Sequence, residues 1–239
     1  MSRFLQLPLV FDITQLNRDL ATLTDKLWHS HINQQAHDGG WSALPLRSVG
    51  GSIEQIAVKE TDQSLYQDTE YLTHTPYFQQ ILSQFSCPLV SVRLMKLKAG
   101  EEIREHTDLD LGYESGAVRL HIPITTHPDI LFHIDQQPIH FGSGECWYMN
   151  ADLPHRVINP TDTDRVHLVI DCLVNDWIEA LFSRAGYQSI KVQHKYGDPT
   201  INDDNVLQVI AELERMDTDA GRKIAAKLKS IHQSNAQAV

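Results

Sequence analysis

The chain has 239 residues, 41% hydrophobic and 21% charged, enough for one large domain or two small ones with a buried core. A formal net charge of -11 argues against a nucleic-acid binder, because phosphate backbones require a basic face, yet it leaves room for a locally basic pocket. The three cysteines, Cys87, Cys146 and Cys172, are widely spaced and form no CxxC, which argues against a disulfide scaffold or cysteine-rich zinc site and fits a reducing cytoplasm.

In chain order, the first residues lack the apolar stretch of a signal peptide, and no run approaches the roughly 20 apolar residues of a membrane helix. The expectation is a soluble, cytoplasmic protein with neither membrane nor nucleic-acid partners. Residues 4–11 read as an edge strand containing Pro8. Ile13, Leu16, Leu20, Leu23 and Leu27 recur at helical spacing, so 13–29 reads as an amphipathic helix capped by Asp12 or Thr14. Glycine pairs at 39–40 and 50–51 bracket a segment that reads as a strand with Trp41 and Arg47. It is either a surface hairpin or a pocket wall whose Arg47 holds a substrate carboxylate. Residues 60–86 read as loop with a short helix over 76–86.

From Leu89 the period changes to that of strands. In 117–124, Val118, Leu120, Ile122 and Ile124 take one face and Arg119, His121 and Pro123 the other. In 165–171, Arg165, His167, Val169 and Asp171 share one face, and Val166, Leu168 and Ile170 the opposite one. Residues 130–134 and 139–141 read as a hairpin, followed by strands over 145–150 and 155–158. About seven short strands with regular turns indicate a mainly β sandwich or jelly roll. Beyond Val174 the chain reads as helical, in segments that start near Trp177, Asn202 or Asp203, and Thr218, with a frayed end from Gln233 to Val239. The expected organisation is a β domain over 1–175 and a small helical region over 176–239.

The chemistry concentrates in His106-Thr107-Asp108 and Pro154-His155. Side chains two residues apart on an extended segment share a face. Two imidazoles and one carboxylate can hold one face of a metal and leave the other open, the ligand set of a non-haem iron centre. An isolated HxD is a weak signal among 13 histidines. Its combination with Arg119 and His121 on one strand, a glycine turn, Pro-His155 and then Arg165 is far more specific.

Residues 89–173 resemble the aspartyl/asparaginyl β-hydroxylase family of Fe(II)/2-oxoglutarate dioxygenases, including its bacterial proline 3-hydroxylase type. The matching text is Arg93 to Gly100, Arg104-Glu-His106-Thr-Asp108, Arg119-Leu-His121-Ile-Pro123, Gly144 to Asn150, Pro154-His155-Arg-Val-Ile-Asn159 and Arg165-Val-His-Leu. The segment from Gly39 to Gly51 is similar more loosely. The resemblance implies a double-stranded β-helix (a cupin-like jelly roll), with His106, Asp108 and His155 as iron ligands. It implies that Arg165 pairs with the distal carboxylate of 2-oxoglutarate, and that His121 and Arg119 contact this cosubstrate. The implied reaction uses O2 to hydroxylate an unactivated C–H bond of an amino acid, free or within a peptide or aminoacyl carrier, and releases succinate and CO2. Arg47 and Arg93 are candidates for a substrate carboxylate, or else surface charges.

Other readings remain in the sequence. Arg165 could be a strand residue paired with Asp162 or Asp164. His121 could be a satisfied core histidine, while His127, His133, His140 and His167 decorate the sheet. The whole could be a cupin-like metalloenzyme that does not use 2-oxoglutarate, or a non-catalytic β-sandwich ligand-binding module. The C-terminal helices either cover the barrel or form a homodimer contact.

Overall fold

The computed structural model describes residues 2–58, 62–187, 196, 198 and 200–236, which divide into two units, Met1–Gln188 and Ser189–Val239. The first unit begins with β1 (Phe4–Val10), α1 (Ile13–Ala21), β2 (His29–Ser30), β3 (Trp41–Val49), β4 (Tyr66–Asp68), α2 (Glu70–Thr73) and α3 (Pro76–Leu82). It continues through β5 (Leu89–Leu97), β6 (Glu102–His106), β7 (Ala117–Thr125), β8 (Leu131–Ile134), β9 (Gln137–Ile139), β10 (Glu145–Met149), β11 (His155–Ile158), β12 (Arg165–Leu173) and α4 (Asp176–Arg184). The second unit contains α5 (Val206–Arg215) and α6 (Asp219–Ala236).

Two antiparallel sheets form a jelly roll, the double-stranded β-helix. The larger runs β1-β10-β7-β12-β5-β3-β2, with β4 added on β3, and the smaller runs β6-β11-β8-β9. The period-2 alternation decides which side chain goes where. Val92 and Leu94, Val118 to Ile124 in alternation, and Val166, Leu168, Ile170 and Cys172 leave the barrel and pack under Leu16 of α1, Phe78 and Ile81 of α3 and Leu181 and Phe182 of α4. Each such fully buried side chain contributes roughly 2 kcal/mol of transfer free energy. Met95, Trp147, Met149 and Val169 of the larger sheet point the other way and meet Ile103, Phe132, Ile134 and Val157 of the smaller one. The polar residues of β7 and β12 that alternate with the outer core residues are therefore forced into the barrel interior.

Several local elements differ from their sequence reading. The first helix ends at Ala21 rather than near residue 29, because Thr22 Oγ1 donates to Asp19 O at 2.7 Å and Thr24 Oγ1 to Ala21 O at 3.2 Å, local bonds that compete with helix propagation. The 41–49 segment is an interior strand, flanked by β5 on one side and by β2 and β4 on the other. The β8–β9 turn places Asp135 and Gln136 at φ of 47° and 63°, a left-handed pair without glycine. It is tethered by Asp135 N–H to Pro154 O and by Arg3 to the Asp135 carboxylate. Ile178, Leu181 and Phe182 of α4 belong to the same core as the sheet, so the division falls after Gln188 instead of after Asn175. The helix expected from Asn202 or Asp203 starts at Val206, and α6 extends to Ala236; residues 237–239 of the expected frayed end lie outside the described residues. In the second unit Val206 and Ile210 of α5 pack with Ala225 and Leu228 of α6.

Gly144 fastens the chain just before β10. Its φ is +75°, Phe11 N–H donates to its carbonyl, and its own N–H donates to Pro123 O, both at 2.8 Å. A Cβ here would lie 2.5 Å from the Phe11 carbonyl oxygen, a backbone atom. Gly144→Ala is expected to cost about 2 kcal/mol through clash and left-handed strain. The check is the urea midpoint; an unchanged midpoint would mean that the Phe11 carbonyl moves aside freely.

Candidate active site

β6 ends on His106 and β11 begins on His155, and the antiparallel register sets these two residues opposite each other. Their ring centroids are 4.3 Å apart. Each ring uses Nδ1 on the carbonyl two residues before it: His106 to Arg104 O at 2.8 Å, and His155 to Leu153 O at 2.9 Å. A carbonyl can only accept, so both rings carry the proton on Nδ1 and present the Nε2 lone pair, the arrangement that orients metal-ligating histidines. His106 Nε2 is buried and has no hydrogen-bond partner among the described residues. Asp108 is fixed by its N–H to Ala151 O at 2.9 Å. Ligand atoms of His106, Asp108 and His155 lie within 4.8 Å of one another. Burial, the largest cause, pushes the His155 pKa down to about 4, keeping the ring neutral and ready to ligate. Burial also works to raise the Asp108 pKa, but attraction to the Arg119 guanidinium outweighs it and keeps the carboxyl ionised. The donor set, its protonation and its orphaned nitrogen fit a divalent cation.

Behind the triad lies a buried charge network. Arg119 donates from Nη1 to Asp108 Oδ2, and from Nε to Asp171 Oδ1 at 2.7 Å. Arg93 donates from Nη2 to Asp171 Oδ2 at 2.7 Å, and from Nη1 to Ile56 O at 3.0 Å. Asp171 therefore anchors two guanidiniums at once. Burial, first, lowers the Arg119 pKa, and the two carboxylates more than reverse this, so it is held above the ordinary range. Arg119 engages one oxygen of Asp108 and leaves the other for a cation.

Arg165 is different. It is 2% exposed, its Nε and Nη1 have no hydrogen-bond partner among the described residues, and its guanidinium sits 5.1 Å from the centroid of the Phe132 ring. Burial pushes its pKa down to about 9. Asp164, one of the partners allowed by the sequence, accepts the Ala99 N–H instead. The charge of Arg165 is thus aimed into the pocket with nothing to meet it. Two strands away on the same sheet, level with Arg165 through Leu97, Trp41 stacks on His31, with centroids 3.3 Å apart, and lies 5.4 Å from His106.

The structure brings six of the sequence candidates to one pocket: His106, Asp108, Arg119, His121, His155 and Arg165. Arg93 is buried behind it through Asp171. Arg47 does not line this pocket; it donates to Asp68, to Tyr66 O and, at 3.4 Å, to Leu89 O, where β3 meets β4. His167, read as a sheet decoration, is fully buried beside His121. The sequence reading missed the roles of Asp171 and His31. The alternation of β12, which puts Asp171 on the face of Arg165, was the available signal for Asp171; nothing in the sequence singles out His31.

A family model described as aspartyl/asparaginyl beta-hydroxylase matches residues 11–174. The L-proline cis-4-hydroxylase of Rhizobium meliloti (strain 1021) is 30% identical over 164 residues, covering 67% of this chain and 57% of that protein. L-proline cis-3-hydroxylase 1 of a Streptomyces species is 26% identical over 165 residues, covering 67% and 56%. The chain thus spans little more than half the length of the curated relatives it matches. Among solved structures, an oxidoreductase of the 2OG-Fe(II) oxygenase family from Burkholderia pseudomallei is 12% identical, covers 72% of this chain and 84% of that one, and superposes with a TM-score of 0.48. Because the family model spans most of the chain and includes every residue of the triad, this chain belongs to the aspartyl/asparaginyl β-hydroxylase family.

Proposed function

We propose that the protein is an Fe(II)- and 2-oxoglutarate-dependent hydroxylase of a small amino acid. The observation that carries this reading is the pairing of a His/Asp/His triad with a buried guanidinium on the same pocket whose Nε and Nη1 have no hydrogen-bond partner among the described residues. Iron(II) held by His106, Asp108 and His155, together with 2-oxoglutarate and O2, supplies an oxidative decarboxylation that hydroxylates an unactivated C–H bond and releases succinate and CO2. The chain's own part is positioning and exclusion of water. The Nδ1–H bonds of His106 and His155 fix both rings, and Arg119 fixes the Asp108 carboxylate. Arg165 supplies a charge-assisted pair for the distal carboxylate of the cosubstrate. Met95, Ile103, Met149 and Val157 keep the remaining walls apolar.

Charge supports a substrate with a free carboxylate. Three buried guanidiniums, Arg93, Arg119 and Arg165, accompany two buried or half-buried carboxylates, Asp108 and Asp171. A divalent cation and a dicarboxylate cancel each other, so one positive charge is left for the substrate. The proline hydroxylases among the relatives make L-proline the first substrate to try.

The test is anaerobic addition of Fe(II) and 2-oxoglutarate to the purified protein, followed by the visible charge-transfer band of the chelate. The band is expected in wild type and absent in His155→Ala, and succinate release on admitting air should rise with L-proline or another small amino acid. Tight metal binding without any band would overturn the reading in favour of a metalloprotein that does not use 2-oxoglutarate.

A further inference from the structure

Two buried histidines carry hydrogen-bonding atoms that the chemistry above leaves unused. His121 on β7 and His167 on β12 face each other Nδ1 to Nδ1 at 3.3 Å, with their rings at 79°. They are 3% and 0% exposed, and the Nε2 of each has no partner among the described residues. The Phe132 ring packs against both, and Arg165 sits over that same ring. Burial, with Arg165 adding repulsion, keeps both rings neutral.

Neutral imidazoles that meet through Nδ1 share a single proton. One ring must donate from Nδ1 and carry a bare Nε2; the other must accept at Nδ1 and carry its proton on Nε2. The tautomers are therefore opposite and locked to each other. The pocket decides which ring has which. His121 lines it with Arg165, whereas His167 does not. An anion drawn in by Arg165 gains a second donor if His121 bears the Nε2 proton and meets a repelling lone pair if it does not.

We propose that His167 is a positioning residue: it donates its Nδ1–H to His121 and so holds His121 as an Nε2–H donor to the distal carboxylate of a dicarboxylic 2-oxo acid. This inference rests on the functional reading above and adds a residue that never touches the ligand. His167 and His121 then sharpen the preference for 2-oxo acids that carry a second carboxylate, beyond the charge of Arg165.

The probe pair is 2-oxoglutarate and 2-oxopentanoate, which share the chelating end and differ in the distal carboxylate. Their anaerobic affinities for the Fe(II) protein are read from the visible chelate band. In His167→Leu, 2-oxoglutarate should bind about tenfold more weakly, as for other supporting partners of a ligand group, while 2-oxopentanoate binds as in wild type. His167→Asn places an amide donor near the position of Nδ1 and should restore most of the loss. Equal weakening of both acids in His167→Leu, or no weakening of either, overturns the proposal. A wild type that forms no chelate with either acid overturns the functional reading itself, and this proposal with it. If His167→Leu does not fold, imidazole nitrogen-15 shifts of the zinc-substituted, 2-oxoglutarate-bound wild type decide. A proton on His167 Nδ1 and on His121 Nε2 is expected, and the reverse pair of tautomers overturns the assignment.

Discussion

Arg165→Leu is expected to yield a protein that is more stable than wild type and binds 2-oxoglutarate about a hundredfold more weakly. Both effects have one cause. The guanidinium is enclosed and, among the described residues, has no carboxylate partner and leaves Nε and Nη1 unsatisfied. Burial lowers its pKa from 12.5 to about 9. Between those values the unfolded chain binds more protons than the folded one, so stability rises with pH across that window; below pH 9 the full cost of the buried charge is present. At neutral pH the apolar side chain removes that cost, by about 2 kcal/mol on the scale of buried-charge replacements. The same change deletes the charge-assisted pair proposed for the distal carboxylate, an expected loss of about a hundredfold in 2-oxoglutarate affinity. Urea unfolding of the ligand-free proteins and chelate titration of the Fe(II) forms read the two effects separately, and metal binding should be retained. A lower urea midpoint in the variant would reveal a stabilising partner for Arg165, and unchanged 2-oxoglutarate affinity would remove it from the site.

The interior face of the barrel was legible because β7 and β12 alternate without interruption. Arg119 and His121 oppose Val118, Leu120 and Ile122, and Arg165, His167 and Asp171 oppose Val166, Leu168 and Ile170, which is the division the two cores show. That His106, Asp108 and His155 come together was legible because His106 ends a strand, His155 begins one, and Asp108 follows His106 by two residues. β6 was not, since Glu102-Ile-Arg-Glu-His106 carries one apolar residue and becomes a strand through its pairing with β11. Arg47 and Arg93 illustrate a second limit. Both are arginines on neighbouring strands, and each is defined by a long-range carboxylate, Asp68 for one and Asp171 for the other. Local pattern cannot choose between those partners, so the sequence could not place one beside the site and the other at the β3–β4 pairing.

Asp171→Asn should be the most damaging single change outside the triad. Asp171 is 1% exposed and is the carboxylate that both Arg93 and Arg119 share. The amide keeps the shape and removes the charge, so among the described residues Arg93 loses its only carboxylate and Arg119 keeps just Asp108. Breaking a buried pair in this way costs about 4 kcal/mol. The second consequence is at the metal. Arg119 already holds Asp108, and without Asp171 its charge rests on Asp108 alone, in competition with the cation. Divalent-metal affinity is expected to fall about tenfold, as when a supporting partner of a ligand is removed. Adding Arg93→Met separates the two effects. The double variant should regain part of the stability, since one orphaned charge is gone, and should not regain metal affinity, since Arg119 still leans on Asp108. Urea unfolding and manganese titration of the wild type and of the single and double variants give both quantities. Recovery of metal affinity in the double variant would show that Arg93, rather than Arg119, is the residue through which Asp171 governs the triad.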